Sequence, residues 1–121
     1  MMNCIFCSIV TGDIPSYKIF EDENILAFLD VNPVSPGHTL IIPKEHTLDV
    51  TTINNDVLVS ILDKSRDIGK LLMEKLDAKG FTLVQNNGIE QEVKHFHLHV
   101  IPKYNKKVSI NIEDVHKKMT N

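Results

Sequence analysis

Three histidines fall at every second position of one short stretch, His95, His97 and His99, with Phe96, Leu98 and Val100 alternating beside them. In an extended strand successive side chains point to opposite faces, so the imidazoles share one face and the apolar residues the other. Imidazoles spaced roughly 7 Å apart on a pleated face can set one another's tautomer and pKa. A neutral imidazole near pH 7 is a nucleophile, a proton carrier and a metal ligand. The apolar face is expected to bury against a helix and the histidine face to stay open. A second chemical feature is Cys4-x-x-Cys7, the only two cysteines of the chain. In a reducing compartment such a pair more often binds metal or does redox work than forms a structural disulfide.

The elements that position these groups are legible from patterning. Cys4 to Val10 carries apolar residues at helical spacing before Thr11-Gly12, which predicts a short N-terminal helix. Tyr17 to Phe20 and Ile25 to Leu29, separated by Glu21-Asp22-Glu23-Asn24, read as a hairpin of two strands with Asp30 at its end. Asn32-Pro33-Val34-Ser35-Pro36-Gly37 is loop chemistry. His38 to Ile42 reads as a third strand stopped by Pro43. One long helix follows, capped by Asn54 or Asn55, with Leu58, Ile61, Leu62, Ile68, Leu71, Leu72 and Leu76 on one side and Gly80 as its close. Phe81 to Val84 is a fourth strand, Gln85-Asn86-Asn87-Gly88 a polar turn, and Val93 to Ile101 a fifth strand ending at Pro102.

This order predicts an α+β fold, a five-stranded antiparallel sheet with one long helix and a short N-terminal helix. The sequence has 121 residues, the size of one domain. It divides into a core at about 4–104 and a polar tail at 105–121 with no assigned structure, where His116 has no evident partner. The sheet leaves edges that need cover, and a homodimer joined along an edge would supply it.

Composition excludes several classes. Apolar residues make up 42% and charged residues 24%, which argues against disorder or a coiled coil. A net charge of −3 gives no basic stripe for nucleic acid. No apolar run approaches the roughly 20 residues that span a bilayer. The opening Met1-Met2-Asn3-Cys4 lacks signal-peptide regions, so a cytoplasmic location is expected.

The stretch Gln91-Glu92-Val93-Lys94-His95-Phe96-His97-Leu98-His99-Val100-Ile101 resembles the signature of the histidine triad (HIT) family of nucleotide hydrolases and transferases. The likeness extends through Asp30, Pro36-Gly37-His38 and Ile42-Pro43-Lys44-Glu45-His46, and the C-x-x-C start is similar to a zinc-containing bacterial branch. The resemblance implies a double displacement at the α-phosphorus of a nucleoside phosphoramidate, an aminoacyl adenylate or a dinucleoside polyphosphate. His97 is then the nucleophile, with His99 and His38 beside it. By the same likeness Asn86 and Gln91 contact the phosphate or leaving group, and backbone N–H groups near Glu92 and Val93 complete an oxyanion site. Asp30 accepts the ribose hydroxyls, and Ile5, Phe6, Ile9, Phe28, Val31 and Leu40 form a slot for a purine base. Cys4, Cys7, His46 and His95 are the implied ligands of one structural zinc.

Two departures stand out. The loop Asn87 to Gln91 is shorter than the usual family version, with Glu90 where a glycine commonly stands, and Glu92 replaces a serine or threonine. Two other readings follow from the residues themselves. One is a hydrolase in which His95, His97 and His99 jointly hold a catalytic metal, although ligands at i and i+4 of a strand lie about 13 Å apart at their backbones. The other is a nucleotide-binding regulator without turnover.

Overall fold

A computed structural model of the chain describes residues 4–121. Helix α1 (Ile5–Thr11) starts on Cys4, whose Sγ accepts the backbone N–H of Cys7, and ends at Gly12 with φ 88°. That left-handed conformation is one glycine adopts without strain. Strands β1 (Lys18–Glu21) and β2 (Ile25–Leu29) form the expected hairpin, and β3 (Thr39–Pro43) pairs with β2 from Ile25↔Pro43 to Leu29↔Thr39. Helix α2 (Asn55–Lys75) is capped by Asn54, whose side chain accepts the N–H groups of Asp56 and Val57. Strands β4 (Gly80–Gln85) and β5 (Leu98–Lys103) follow, and the antiparallel sheet has the order β1-β2-β3-β5-β4. The α+β architecture read from the sequence is therefore the architecture of the molecule.

Both faces of the sheet are covered, which explains why Ile25–Leu29 and Thr39–Pro43 are apolar throughout rather than alternating. On one face Ile25, Ala27, Ile41, Leu98 and Val100 pack with Ile61, Ile68 and Leu72 of α2. On the other, Leu26, Phe28, Leu40 and Ile42 pack with Phe6 and Ile9 of α1. Gly69 permits this closeness on α2, because a Cβ there would overlap the ring of Phe81.

Three expectations about the sheet and the long helix need correction. Helix α2 stops at Lys75, with Leu76 as its cap and Asp77 turning the chain at φ 59°, so Gly80 opens β4 instead of closing the helix. Leu62 sits at the exposed rim of α2 rather than in the core. The fifth strand begins at Leu98, not Val93. Before Leu98 the chain has no β3 neighbour, and the Phe96 N–H bonds Thr47 O (2.7 Å) in a loop.

The tail is not unstructured either. Ile112–Thr120 forms helix α3, capped by Asn111, with Val115 and Met119 buried in the core. Acidic Glu113 and Asp114 lie in its first turn and Lys117 and Lys118 in its last, matching the helix dipole. His116 has partners after all. Its Nε2–H donates to Lys18 O at 2.8 Å and its ring lies edge-on to Tyr17, while Tyr17 Oη donates to Glu113. Helix α3 thereby covers the outer edge at β1 and leaves β4, which pairs only with β5, as the open one.

Candidate active site

The loop before β5 and the first residues of β5 carry the three histidines. Alternation persists although the ladder does not: Phe96, Leu98 and Val100 face α2, and the imidazoles face the α1 side. The sequence suggested that this side stays open, and it does not. His95 is 0% and His97 4% exposed, because the ring of Phe6 lies edge-on over both, with centroids 5.9 and 5.1 Å away.

Hydrogen bonding assigns a tautomer to each ring, and that of His97 differs from those of His38 and His99. A carbonyl oxygen only accepts, so the 2.8 Å contact of His97 Nδ1 with the His95 carbonyl puts the proton on Nδ1 and leaves a lone pair on Nε2. Val34 N–H donates to His38 Nδ1 at 3.1 Å, which places the His38 proton on Nε2. That proton is donated to His99 Nδ1 at 2.9 Å, so His99 carries its own on Nε2. A lone pair and an N–H donor thus sit on neighbouring rings, 4.9 Å apart between centroids. Burial, with His97 and His38 close by, pulls the His99 pKa down to about 4, so the ring is neutral at pH 7. Burial also lowers His38, Asp30 opposing it and Lys103 adding to it. Asp30 Oδ2 lies 3.7 Å from His38 Nε2, and its Oδ1 accepts the N–H of Asn32.

These groups border a cavity of about 250 Å³. Ile5, Phe6, Ile9, Phe28, Val31 and Leu40, grouped from the sequence as an apolar slot, all line it, as do Asp30, Val93, His97 and His99. His38 acts on it through His99. Asn86 and Gln91 are not among the lining residues. The Gln91 side chain is 3% exposed and turned inward, donating Nε2–H to Leu48 O at 2.6 Å while Oε1 has no partner. Sequence reasoning missed Ile14, Pro15, Ser16, Leu29 and Asn32, which also line the cavity. Ser16 lies two residues before β1 and carries no local signal that places it at a cavity.

His95 faces a different group. Its Nε2–H donates to Pro43 O at 2.8 Å, leaving the Nδ1 lone pair 3.4 Å from Cys4 Sγ and 3.6 Å from Cys7 Sγ. His46 Nδ1 lies 3.3 Å from Cys7 Sγ. One ligand atom from each of these four residues falls within 4.8 Å of the others. Two sulfurs at about 2.3 Å and two nitrogens at about 2.0 Å around a tetrahedral zinc would need such spans. Burial and the neighbouring Cys4 push the Cys7 thiol up to about 11. The donor set therefore fits zinc. His97 belongs to no metal-binding group among the described residues, and His95 turns away from it, so the three histidines do not converge on one ion.

Comparison with known proteins identifies the family. The HIT domain profile matches residues 11–106. "Protein hit" of Bacillus subtilis is 42% identical over 106 residues, covering 86% of this chain and 73% of that one. The adenosine 5'-monophosphoramidase hnt1 of Schizosaccharomyces pombe is 39% identical over 113 residues, covering 92% and 82%. Among solved structures, a Zn-bound histidine triad family protein from Mycobacterium smegmatis superposes with a TM-score of 0.91 at 36% identity, covering 98% of this chain and 91% of that one. The chain belongs to the HIT family.

Proposed function

We propose that this protein hydrolyses a nucleotide at its α-phosphorus through a covalent intermediate on His97. The observation that carries the reading is the tautomer pair, a His97 Nε2 lone pair beside a His99 Nε2–H, at a cavity that joins an apolar slot to Asp30. A base fits between Phe6, Ile9, Phe28 and Leu40, and Asp30 accepts hydrogen bonds from the ribose. His97 Nε2 forms a bond to phosphorus, and the bond to the leaving group breaks with its electron pair on the leaving atom. His99 donates to a phosphoryl oxygen, where negative charge grows in the transition state. Water then displaces His97 Nε2 from phosphorus and releases the nucleoside monophosphate; the proton it gives up balances the one taken up by the leaving atom, and neutral His97 is restored.

Nucleoside phosphoramidates are the first substrates to test, since relatives in three yeasts are named adenosine 5'-monophosphoramidases. Zinc held by Cys4, Cys7, His46 and His95 would supply no chemistry at phosphorus; it would tie α1 to the segment leading into the catalytic strand. The open β4 edge, where Leu83 is 43% exposed, is the place for a second copy of the chain.

Replacing His97 with alanine or glycine should lower turnover of adenosine 5'-phosphoramidate by at least ~1,000-fold and abolish trapping of a labelled protein adduct. A variant that turns over near the wild-type rate would refute the mechanism.

A further inference from the structure

We propose that Ser16 is a ribose-recognition residue, its hydroxyl working beside Asp30 to favour ribonucleotides over deoxyribonucleotides. The proposal rests on reading the cavity as a nucleotide site. Pairing of β1 with β2 does not stop at Lys18↔Phe28, because Leu29 N–H donates to Tyr17 O at 2.9 Å. Continued by one more position, that register would set Ser16 opposite Asp30. Residues directly opposite in an antiparallel pair share a face and have Cα atoms about 4.5–5.5 Å apart. Both residues line the same cavity.

Ser16 Oγ is also one of two buried side-chain polar atoms without a hydrogen-bond partner among the described residues. An unpaired buried hydroxyl costs stability, so its place at a cavity wall points to a ligand as its partner. The chemistry of a vicinal diol fits. An ionised carboxylate only accepts, and Asp30 already receives the Asn32 N–H on Oδ1. The ribose oxygens carry lone pairs that need a donor, and a serine hydroxyl both donates and accepts.

The test compares wild type with Ser16→Ala on adenosine 5'-phosphoramidate and on its 2'-deoxy and 3'-deoxy forms, together with melting curves with and without AMP. The variant should raise KM for the ribonucleotide about fivefold to tenfold, leave kcat within about twofold, and narrow the preference for ribose over one deoxy form by the same factor. Its AMP-induced rise in melting temperature should shrink. Without nucleotide it should melt at the same temperature as wild type or higher, because an unpaired buried hydroxyl has been removed. An unchanged ribose preference, or a lower melting temperature with the AMP effect intact, would overturn the assignment and leave Ser16 a structural residue. The AMP shift does not depend on turnover. Its absence from wild type would sink the nucleotide reading of the cavity, and this proposal with it.

Discussion

Acidification from pH 7 to pH 5 is expected to remove up to about 2 kcal/mol of folding stability through His99 alone. The folded-state pKa is lowered from 6.5 to about 4, chiefly by burial and then by the His97 and His38 rings. Between those values the unfolded chain binds a proton that the folded chain refuses. The contribution is therefore complete above pH 6.5, erodes as pH falls, and is exhausted near pH 4. At pH 5 the ring is about 97% protonated unfolded and about 9% protonated folded, and the corresponding free-energy ratio gives about 2 kcal/mol. This is a ceiling, since His99 is only half-buried and solvent in the cavity screens its charge. In a chain of this size it corresponds to about 8 °C of melting temperature. Thermal and urea melts of wild type and His99→Gln at pH 7, 6 and 5, with matched ionic strength and zinc, isolate the effect. The variant should lose less stability on acidification by about that amount. Parallel curves for the two proteins would refute the argument from His99 burial.

Elemental analysis of protein purified without chelator should find about one zinc per chain, and His46→Ala should lower that content together with the melting temperature. Metal-free protein of wild-type stability would exclude the site. Light scattering should give a particle of twice 13.7 kDa, and a charged residue in place of Leu83 on the open β4 edge should shift it toward the monomer. A wild-type protein monomeric at high concentration would remove the edge-pairing proposal.

Much of the framework could be read in advance because its signals are local. Gly12 after the first apolar run, Asn54 before the long one, and the hairpin turn at Glu21 to Asn24 act within a few residues. The errors arose where distant partners decide. Helix α3 has only nine residues, below the length at which helix propensity alone suffices, and its stability comes from Val115 and Met119 docking in a core built elsewhere. Residues 93–97 show the alternation of a strand because extended backbone alternates whether or not it pairs. The sequence could not say that the Phe96 N–H would find Thr47. Gln91 turns inward for a carbonyl 43 residues away, a contact without a local signature. The slot residues, in contrast, came together as grouped, since Phe28 and Leu40 are paired across β2 and β3.

Helix α1 is gripped from two directions. Its N-terminal turn presents Cys4 and Cys7 to His46 and His95, while Phe6 and Ile9 form one wall of the cavity. A metal on the first group and a base against the second would each restrict the same seven residues. Such a shared element would make the two occupancies heterotropic partners: any factor by which metal tightened nucleotide binding would equal the factor by which nucleotide tightened metal binding. Depletion of either would then loosen the protein's hold on the other, linking the cell's metal supply to its nucleotide chemistry through a helix of two turns.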